Sequence, residues 1–140
     1  MDDRVDTVEK GDTMDTEALA RRGYDSFAAG DVATLHALLA DDVLWVEPGE
    51  TRVSGEHKGR DATLAMLGSL AEITGGTFVA TPKVFMVSGD HAAVLVGESA
   101  TRDGHQIVSE SIHYFRYRDE QIVEFHDLPF DMGAFSALFA

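Results

Sequence analysis

Cysteine is absent from this chain of 140 residues. Its absence excludes disulfide bonds, thiolate metal ligands and cysteine nucleophiles. Basic residues are scarce too, with 11 lysines and arginines against 25 aspartates and glutamates and a formal net charge of -14 at pH 7. A protein this acidic, with no cluster of basic residues, repels nucleic-acid phosphates and anionic lipid headgroups. We therefore expect neither nucleic acid nor a membrane surface as a partner.

Long apolar runs are also missing. No stretch approaches the ~20 consecutive apolar residues of a membrane span. The N-terminal sequence MDDRVDTVEKGDTMD contains no apolar core of a secretory signal. These absences, together with the lack of cysteine, favour a cytoplasmic protein.

Composition and length indicate one folded domain. Of the 140 residues, 44% are hydrophobic and 26% are charged, which is ordinary globular usage. A chain of this length buries one sizeable core but is too short for two domains of usual size. Residues 1–15 are rich in acids and show no apolar periodicity. We therefore predict a disordered acidic tail at residues 1–15 and a single domain at residues 16–140.

Helical signals dominate the first half of this domain. Apolar residues at helical spacing predict a first helix that ends at Gly30 and a second, shorter helix capped by Asp31. The β-branched and aromatic residues 43–47 predict a strand, followed by a polar loop through Gly55. A third helix is predicted to begin near Asp61 and to end at a Gly-Gly pair.

Strand signals dominate the second half. Turn sequences at residues 88–90, 102–104 and 118–120 divide the chain up to about residue 130 into four runs of strand character. The order ααβαββββ excludes a doubly wound parallel sheet, because helices no longer alternate with strands. It predicts an α+β, cone-shaped fold in which three N-terminal helices pack on a curved, mainly antiparallel sheet. The mouth of such a cone is a natural pocket for a small, largely apolar molecule.

Glu47 is a candidate base. It follows Trp45 and Val46, which predict burial, and it precedes Pro48, which has no N–H to offer a carboxylate. Glu47 is therefore either a solvated residue at a strand end or a desolvated base with a raised pKa.

His113 and Asp127 are a candidate acid/base pair on neighbouring strands. If residues 118–120 form a three-residue loop with a bulge, His113 pairs with Phe125 and lies diagonal to Asp127. A two-residue turn would pair His113 with His126 instead. We favour the bulged loop because it places His113 on one face with the apolar residues Phe115, Val123 and Phe125, and the charged pair Glu124 and His126 on the other. His113 and Asp127 are then buried neighbours, and two titratable groups on an apolar face have perturbed protonation and can exchange protons with a ligand.

Other chemical motifs are weak. The six histidines show no metal-binding spacing, the glycine-rich pieces lack the context of nucleotide loops, and no serine lies in a nucleophile elbow. We therefore predict no metal and no cofactor.

Four sequence segments carry a resemblance to a known family. They are YDSFAAGD at residues 24–31, LLADDV at residues 38–43, GRDA at residues 59–62 and HYFRYRD at residues 113–119. With them, the chain from about residue 16 to residue 139 resembles the SnoaL-like branch of the superfamily that also holds ketosteroid isomerase and nuclear transport factor 2. The resemblance implies the same cone of helices and curved sheet.

The resemblance also implies roles for individual residues. Glu47 falls where ketosteroid isomerases place the aspartate that shuttles the proton, and His113 falls where they keep a protonated aspartate that donates to the oxyanion. Their oxyanion tyrosine falls on Gly23, with Tyr24 one residue further along the helix. In SnoaL-like polyketide cyclases, a histidine on the penultimate strand and an acid/base aspartate on the last strand match His113 and Asp127.

Two kinds of function follow. In the first, Asp127 or Glu47 removes a proton α to a carbonyl and His113 stabilises the enolate, which gives isomerisation or aldol-type cyclisation of an apolar carbonyl compound. The alternative is a non-catalytic ligand-binding or dimerisation module of the same fold. Epoxide hydrolysis ranks last, because its Asp-Arg-Asp network cannot be assembled from the residues predicted to face the pocket. The residues expected to contact the substrate are Tyr24, Phe27, Trp45, Met66, Phe115 and Phe125.

A second copy of the chain is the expected protein partner. The outer face of the sheet is not covered by helices and carries Tyr114 or His126 with apolar neighbours. An uncovered apolar sheet face favours a homodimer formed through that face.

Overall fold

The computed structural model describes residues 14–140. Most of the predicted acidic tail, residues 1–13, lies outside the described residues, so the tail stays a prediction. Within the described part, no helix has both the length and the hydropathy that crossing a membrane requires. The cytoplasmic location also stays a prediction. The helices are α1 Thr16–Ala29, α2 Val32–Leu38, α3 Arg60–Thr74 and α4 Met132–Leu138; the strands are β1 Leu39–Glu47, β2 Gly55–Lys58, β3 Val79–Ser88, β4 His91–Arg102, β5 His105–Arg118 and β6 Gln121–Pro129.

Caps fix the ends of the first two helices. The Asp15 carboxylate accepts a hydrogen bond from the Ala18 N–H, and the Asp31 carboxylate caps α2 in the same way through the Thr34 N–H. Gly30 ends α1 in the left-handed conformation, as predicted. The two helices therefore follow each other closely, with only Gly30 and Asp31 between them.

The six strands form one sheet in the order β2-β1-β6-β5-β4-β3. All neighbouring strands are antiparallel except β1 and β6, which are parallel. Residues of all four helices join the inner face of this curved sheet in one hydrophobic core. The predicted α+β fold is confirmed: helices pack on a curved, mainly antiparallel sheet and enclose a cone.

Two elements were not predicted. Residues 55–58, expected to be loop, form β2 and pair antiparallel with β1. Their sequence GEHK has no apolar alternation, so the strand can be recognised only from its pairing with β1. The short helix α4 was also missed, although its Phe135 and Leu138 are fully buried. Strand β1 begins at Leu39, earlier than the predicted residue 43, because it pairs with β6 from there onward.

The hairpin between β5 and β6 differs from both predicted registers. Its turn has two residues, Asp119 and Glu120, both with positive φ, and a bulge follows between Ile122 and Glu124 on β6. The extra residue shifts the pairing by one, so that His113 lies directly opposite Asp127. The predicted pairings of His113 with Phe125 or with His126 are therefore wrong. The expectation that His113 and Asp127 share the inner face is nevertheless correct.

The outer face of the sheet carries a set of apolar side chains. Tyr114 pairs with His126, and Ile112 pairs with Leu128 on the same face. Val108 and Leu128 are 65% and 51% exposed. We expect this face to join two copies of the chain, because apolar patches of this kind mark protein interfaces. Light scattering at micromolar concentration should give about twice the chain mass of 15.2 kDa, and a monomer would contradict this prediction.

Candidate functional site

The cone encloses a chamber of about 80 Å³. Helices α1, α2 and α3 close it on one side and the inner face of the sheet closes it on the other. The wall is mainly apolar and aromatic. Its polar side chains are Tyr24, Glu47, Glu98, His113 and Asp127.

Strand alternation brings three of these polar groups together. Every second residue of β4 faces inward, among them alanines and valines, and Glu98 occupies one of these positions. This alternation accounts for its burial. The Nε2 atom of His113 lies 3.0 Å from Glu98 Oε2 and 3.2 Å from Asp127 Oδ2. Ser111 Oγ donates to the other Glu98 oxygen at 2.9 Å. Both oxygens of Glu98 are thus occupied within the protein.

Tyr24 reaches the opposite side of the same histidine. Its hydroxyl lies 2.7 Å from His113 Nδ1, and the two rings are stacked with 5.9 Å between centroids. Burial raises the pKa of the Tyr24 hydroxyl, so the group stays protonated. Both ring nitrogens of His113 therefore have partners.

The protonation of His113 decides how the Tyr24 hydroxyl is oriented. Burial by itself lowers the pKa of His113, but hydrogen bonds to Asp127 and Glu98 outweigh it and raise that pKa to about 10. At neutral pH both ring nitrogens then carry protons, and Nδ1–H donates to the Tyr24 oxygen. The Tyr24 hydroxyl can then donate its own proton to a different acceptor, such as a ligand in the adjoining chamber.

Glu47 lies at the end of β1 with its carboxylate buried. The indole Nε1–H of Trp45 donates to Glu47 Oε2 at 2.8 Å, and the Trp45 ring stacks on Phe125 with centroids 3.8 Å apart. Burial raises the pKa of Glu47 well above its usual range, and the negative charge of Asp127 raises it further. Of the two predicted environments for Glu47, the desolvated one is therefore present.

Asp127 has one free oxygen. Its Oδ2 atom is near His113, whereas Oδ1 is buried and has no hydrogen-bond partner among residues 14–140. A buried acceptor without a partner costs about 1–3 kcal/mol. Asp127 also lines the chamber, so this carboxylate lies next to the space that a ligand would occupy.

The structure brings eight of the nine predicted site residues to the chamber wall. The exception is Met66, which is buried in the hydrophobic core and is not part of this wall. Glu98 and Gly23 line the chamber but were not predicted as site residues. Alternation along β4 could have indicated that Glu98 faces inward, because Glu98 lies two and four residues after the buried Val96 and Val94. Tyr24 was predicted only as a substrate contact, and nothing in the sequence indicates its bond to His113.

The Glu98, His113 and Asp127 side chains also resemble a set of metal ligands. Each offers one ligand atom, and the three atoms lie within 4.8 Å of one another. The separations of 3.0 and 3.2 Å between the nitrogen and the oxygens are those of N–H···O hydrogen bonds. A proton shared among these groups accounts for the geometry.

Comparison with known proteins places this architecture in a family. The model of the SnoaL-like domain matches residues 20–125. An uncharacterised protein of Mycobacterium tuberculosis strain H37Rv is 33% identical over 78 residues, which cover 56% of this chain and 60% of that protein. The match thus spans less than two thirds of the length of this curated relative.

Solved structures share the fold along almost the whole chain. Bal32a, from a soil-derived mobile gene cassette, is 28% identical with a TM-score of 0.85, and the match covers 89% of this chain and 96% of Bal32a. IdmH from Streptomyces antibioticus, described as a candidate polyketide cyclase, is 19% identical with a TM-score of 0.73 over 91% of this chain and all of IdmH. The match to the domain model covers most of the chain, and the chain belongs to the SnoaL-like domain family.

Proposed function

We propose that this protein is a cofactor-independent acid/base enzyme that isomerises or cyclises an apolar carbonyl compound by removing a proton α to the carbonyl. The free Oδ1 of Asp127 is the observation that carries this proposal. The Oδ2 atom of this carboxylate is near the His113 Nε2 atom, whereas Oδ1 has no donor among residues 14–140. Because Asp127 lines a mainly apolar chamber, its free oxygen is suited to take a proton from carbon.

The other polar groups have complementary roles in this proposal. The Tyr24 hydroxyl donates to the carbonyl oxygen and stabilises the enolate as negative charge develops there. His113 acts through Tyr24 rather than on the substrate, because both of its nitrogens already have partners. Its positive charge favours the donating orientation of the hydroxyl.

Glu47 is suited to return the proton. Its raised pKa favours the neutral carboxylic acid, which donates, whereas Asp127 accepts. In an isomerisation, Asp127 takes the proton from one carbon and Glu47 delivers its own proton to another. In an aldol-type cyclisation, the enolate carbon attacks a second carbonyl of the same molecule, and the new alkoxide takes the Glu47 proton. In both reactions a proton then passes from Asp127 to Glu47 and restores the starting state of the two groups.

The family supports this reaction class at a coarse level. IdmH has the same fold and is described as a candidate polyketide cyclase, but at 19% identity the likeness concerns the fold alone. A second function, non-catalytic ligand binding, is favoured by one observation: Glu98, His113 and Tyr24 already satisfy one another in the chamber. Only a measurement of proton transfer separates the two.

Exchange of α-hydrogens in D₂O provides that measurement. The protein should accelerate the exchange of 2-butanone, followed by ¹H NMR, above the rate in buffer. Tyr24→Phe should lower the accelerated rate about a hundredfold, because it removes the enolate donor. A chelator such as EDTA should have no effect on the rate.

Tyr114 offers a matched control for Tyr24. Its hydroxyl lies 2.6 Å from Nδ1 of His91, but on the outer face of the sheet. Tyr114→Phe should therefore leave the exchange rate unchanged. Exchange at the buffer rate with the wild-type protein, together with measurable ketone binding, would instead support the ligand-binding function.

A further inference from the structure

A second concavity adjoins the chamber. It is a groove of about 610 Å³ between the end of α1, helices α2 and α3, and the start of β3. Five side chains line both spaces and separate them: Phe27, Leu35, Leu67, Phe78 and Ala80. The chamber and the groove are therefore neighbouring compartments that share one wall.

The two compartments differ in chemistry. The chamber contains the polar groups of the proposed reaction, whereas among residues 14–140 no charged or hydrogen-bonding side chain lines the groove. Val32 and Val79 at the groove are 61% and 51% exposed, and its small residues include Gly68 and Ala71. On a chain of net charge -14, a wall without charge selects an uncharged, apolar occupant.

The sizes of the compartments limit what each can hold. Pockets for drug-sized molecules span roughly 300–1,000 Å³. The chamber, at about 80 Å³, is below this range, and the groove, at about 610 Å³, is within it. A drug-sized molecule therefore cannot fit in the chamber alone.

We propose that the substrate is an elongated molecule whose carbonyl end enters the chamber and whose uncharged apolar remainder lies in the groove. This inference rests on the proposed function for the role of the carbonyl end. The apolar part passes the shared wall between Phe27 and Phe78, whose rings meet edge to face with centroids 6.0 Å apart. Both rings are only partly buried and pack against the core, and passage of the apolar part requires them to separate.

Gly68 provides a way to block the groove without touching the chamber. It lies within α3 and lines the groove only, and a Cβ added there meets no atom within 4 Å. Gly68→Leu places a side chain in the groove and replaces a residue of low helix propensity, so the fold should be retained. Ala65→Leu is the matched control, since Ala65 is exposed on the same helix and lines neither space.

Binding of a series of 2-alkanones from 2-butanone to 2-undecanone tests the inference. Trp45, the only tryptophan in the chain, lines the chamber, so its fluorescence reports binding without any need for turnover. In the wild-type protein, affinity should rise about two- to fourfold per added methylene through the whole series. Gly68→Leu should weaken 2-undecanone binding at least tenfold and leave 2-butanone binding within twofold. Ala65→Leu should behave as the wild type.

Three outcomes would overturn the inference. One is a wild-type affinity that stops rising at about six carbons, and another is a Gly68→Leu variant that binds 2-undecanone normally. The third is a gain of more than tenfold in 2-undecanone affinity after deletion of residues 2–13, which would assign the groove to that segment. Because fluorescence measures binding only, failure of α-hydrogen exchange with a normal chain-length dependence would refute the proposed enzyme and leave the groove assignment intact.

Discussion

Replacing Asp127 by asparagine should lower the α-hydrogen exchange of 2-butanone by about a thousandfold and keep its affinity within about tenfold. General acid/base groups contribute about 10²–10⁴-fold to rate. The amide preserves the shape of the side chain and one acceptor oxygen near His113, but it cannot take a proton from carbon. Exchange rates by ¹H NMR and affinities from Trp45 fluorescence measure the two quantities separately.

Glu98 is the matched control for Asp127. Its carboxylate contacts the same His113 nitrogen, but both of its oxygens are already bonded within the protein. Glu98→Gln should therefore lower the rate by no more than about tenfold, through a weaker hold on His113. Equal losses in the two variants would show that the cluster acts as a unit and that Asp127 is not the base. A normal rate in Asp127→Asn would leave Glu47 as the candidate base.

The free energy of unfolding should fall by about 3 kcal/mol between pH 6.5 and pH 9. In the unfolded chain, the His113 pKa returns to about 6.5, whereas in the folded protein hydrogen bonds to Asp127 and Glu98 raise it to about 10 in spite of burial. Over this interval the folded protein keeps a proton that the unfolded chain releases. Each pH unit then costs about 1.4 kcal/mol.

The buried glutamates change stability in the same direction. Burial raises the pKa values of Glu47 and Glu98 in the folded protein. A raised folded-state pKa stabilises the protein below the unfolded pKa, and the contribution is lost as pH rises through the folded value. Stability should therefore decline from mildly acidic toward alkaline pH.

Urea unfolding at pH 6, 7.5 and 9 measures the decline. His113→Gln should flatten it and should be less stable at pH 6, because the buried carboxylates lose their cation. His126 is the control, since it is partly exposed on the outer face and its one hydrogen-bond partner among residues 14–140 is Glu124, at 2.8 Å. His126→Gln should keep the wild-type pH dependence. A constant free energy of unfolding in the wild type would show that His113 does not carry its proton at neutral pH.

The sequence predicts which face a residue occupies better than which residue it meets. Alternation along β5 and β6 places His113 and Asp127 inside, and both are inside. Their direct pairing depends on a bulge between Ile122 and Glu124. A single extra residue changes the strand register but changes the apolar pattern too little for the bulge to be predicted from the sequence.

Longer-range features were beyond sequence reasoning for a different reason. The bond between Tyr24 and His113 joins residues 89 positions apart, and it depends on how α1 lies across the sheet. Strand β2 has no apolar pattern of its own and exists because β1 offers a free edge. Glu98 could have been found, because alternation along β4 predicts its burial as directly as it predicts that of His113 on β5.

The parallel pairing of β1 with β6 joins the first and last strands in chain order at the pocket. Trp45 and Phe125 are neighbours in this pairing although the chain between them runs through α3 and four other strands. Closing so long a loop costs entropy that only the finished core offsets. A local opening of this one strand pair would part Glu47 from Asp127 and dismantle the acid/base site while most of the hairpin meander stays paired. The integrity of the acid/base site therefore depends on the strand pairing with the largest sequence separation among residues 14–140, and not only on the hairpin that carries His113 and Asp127.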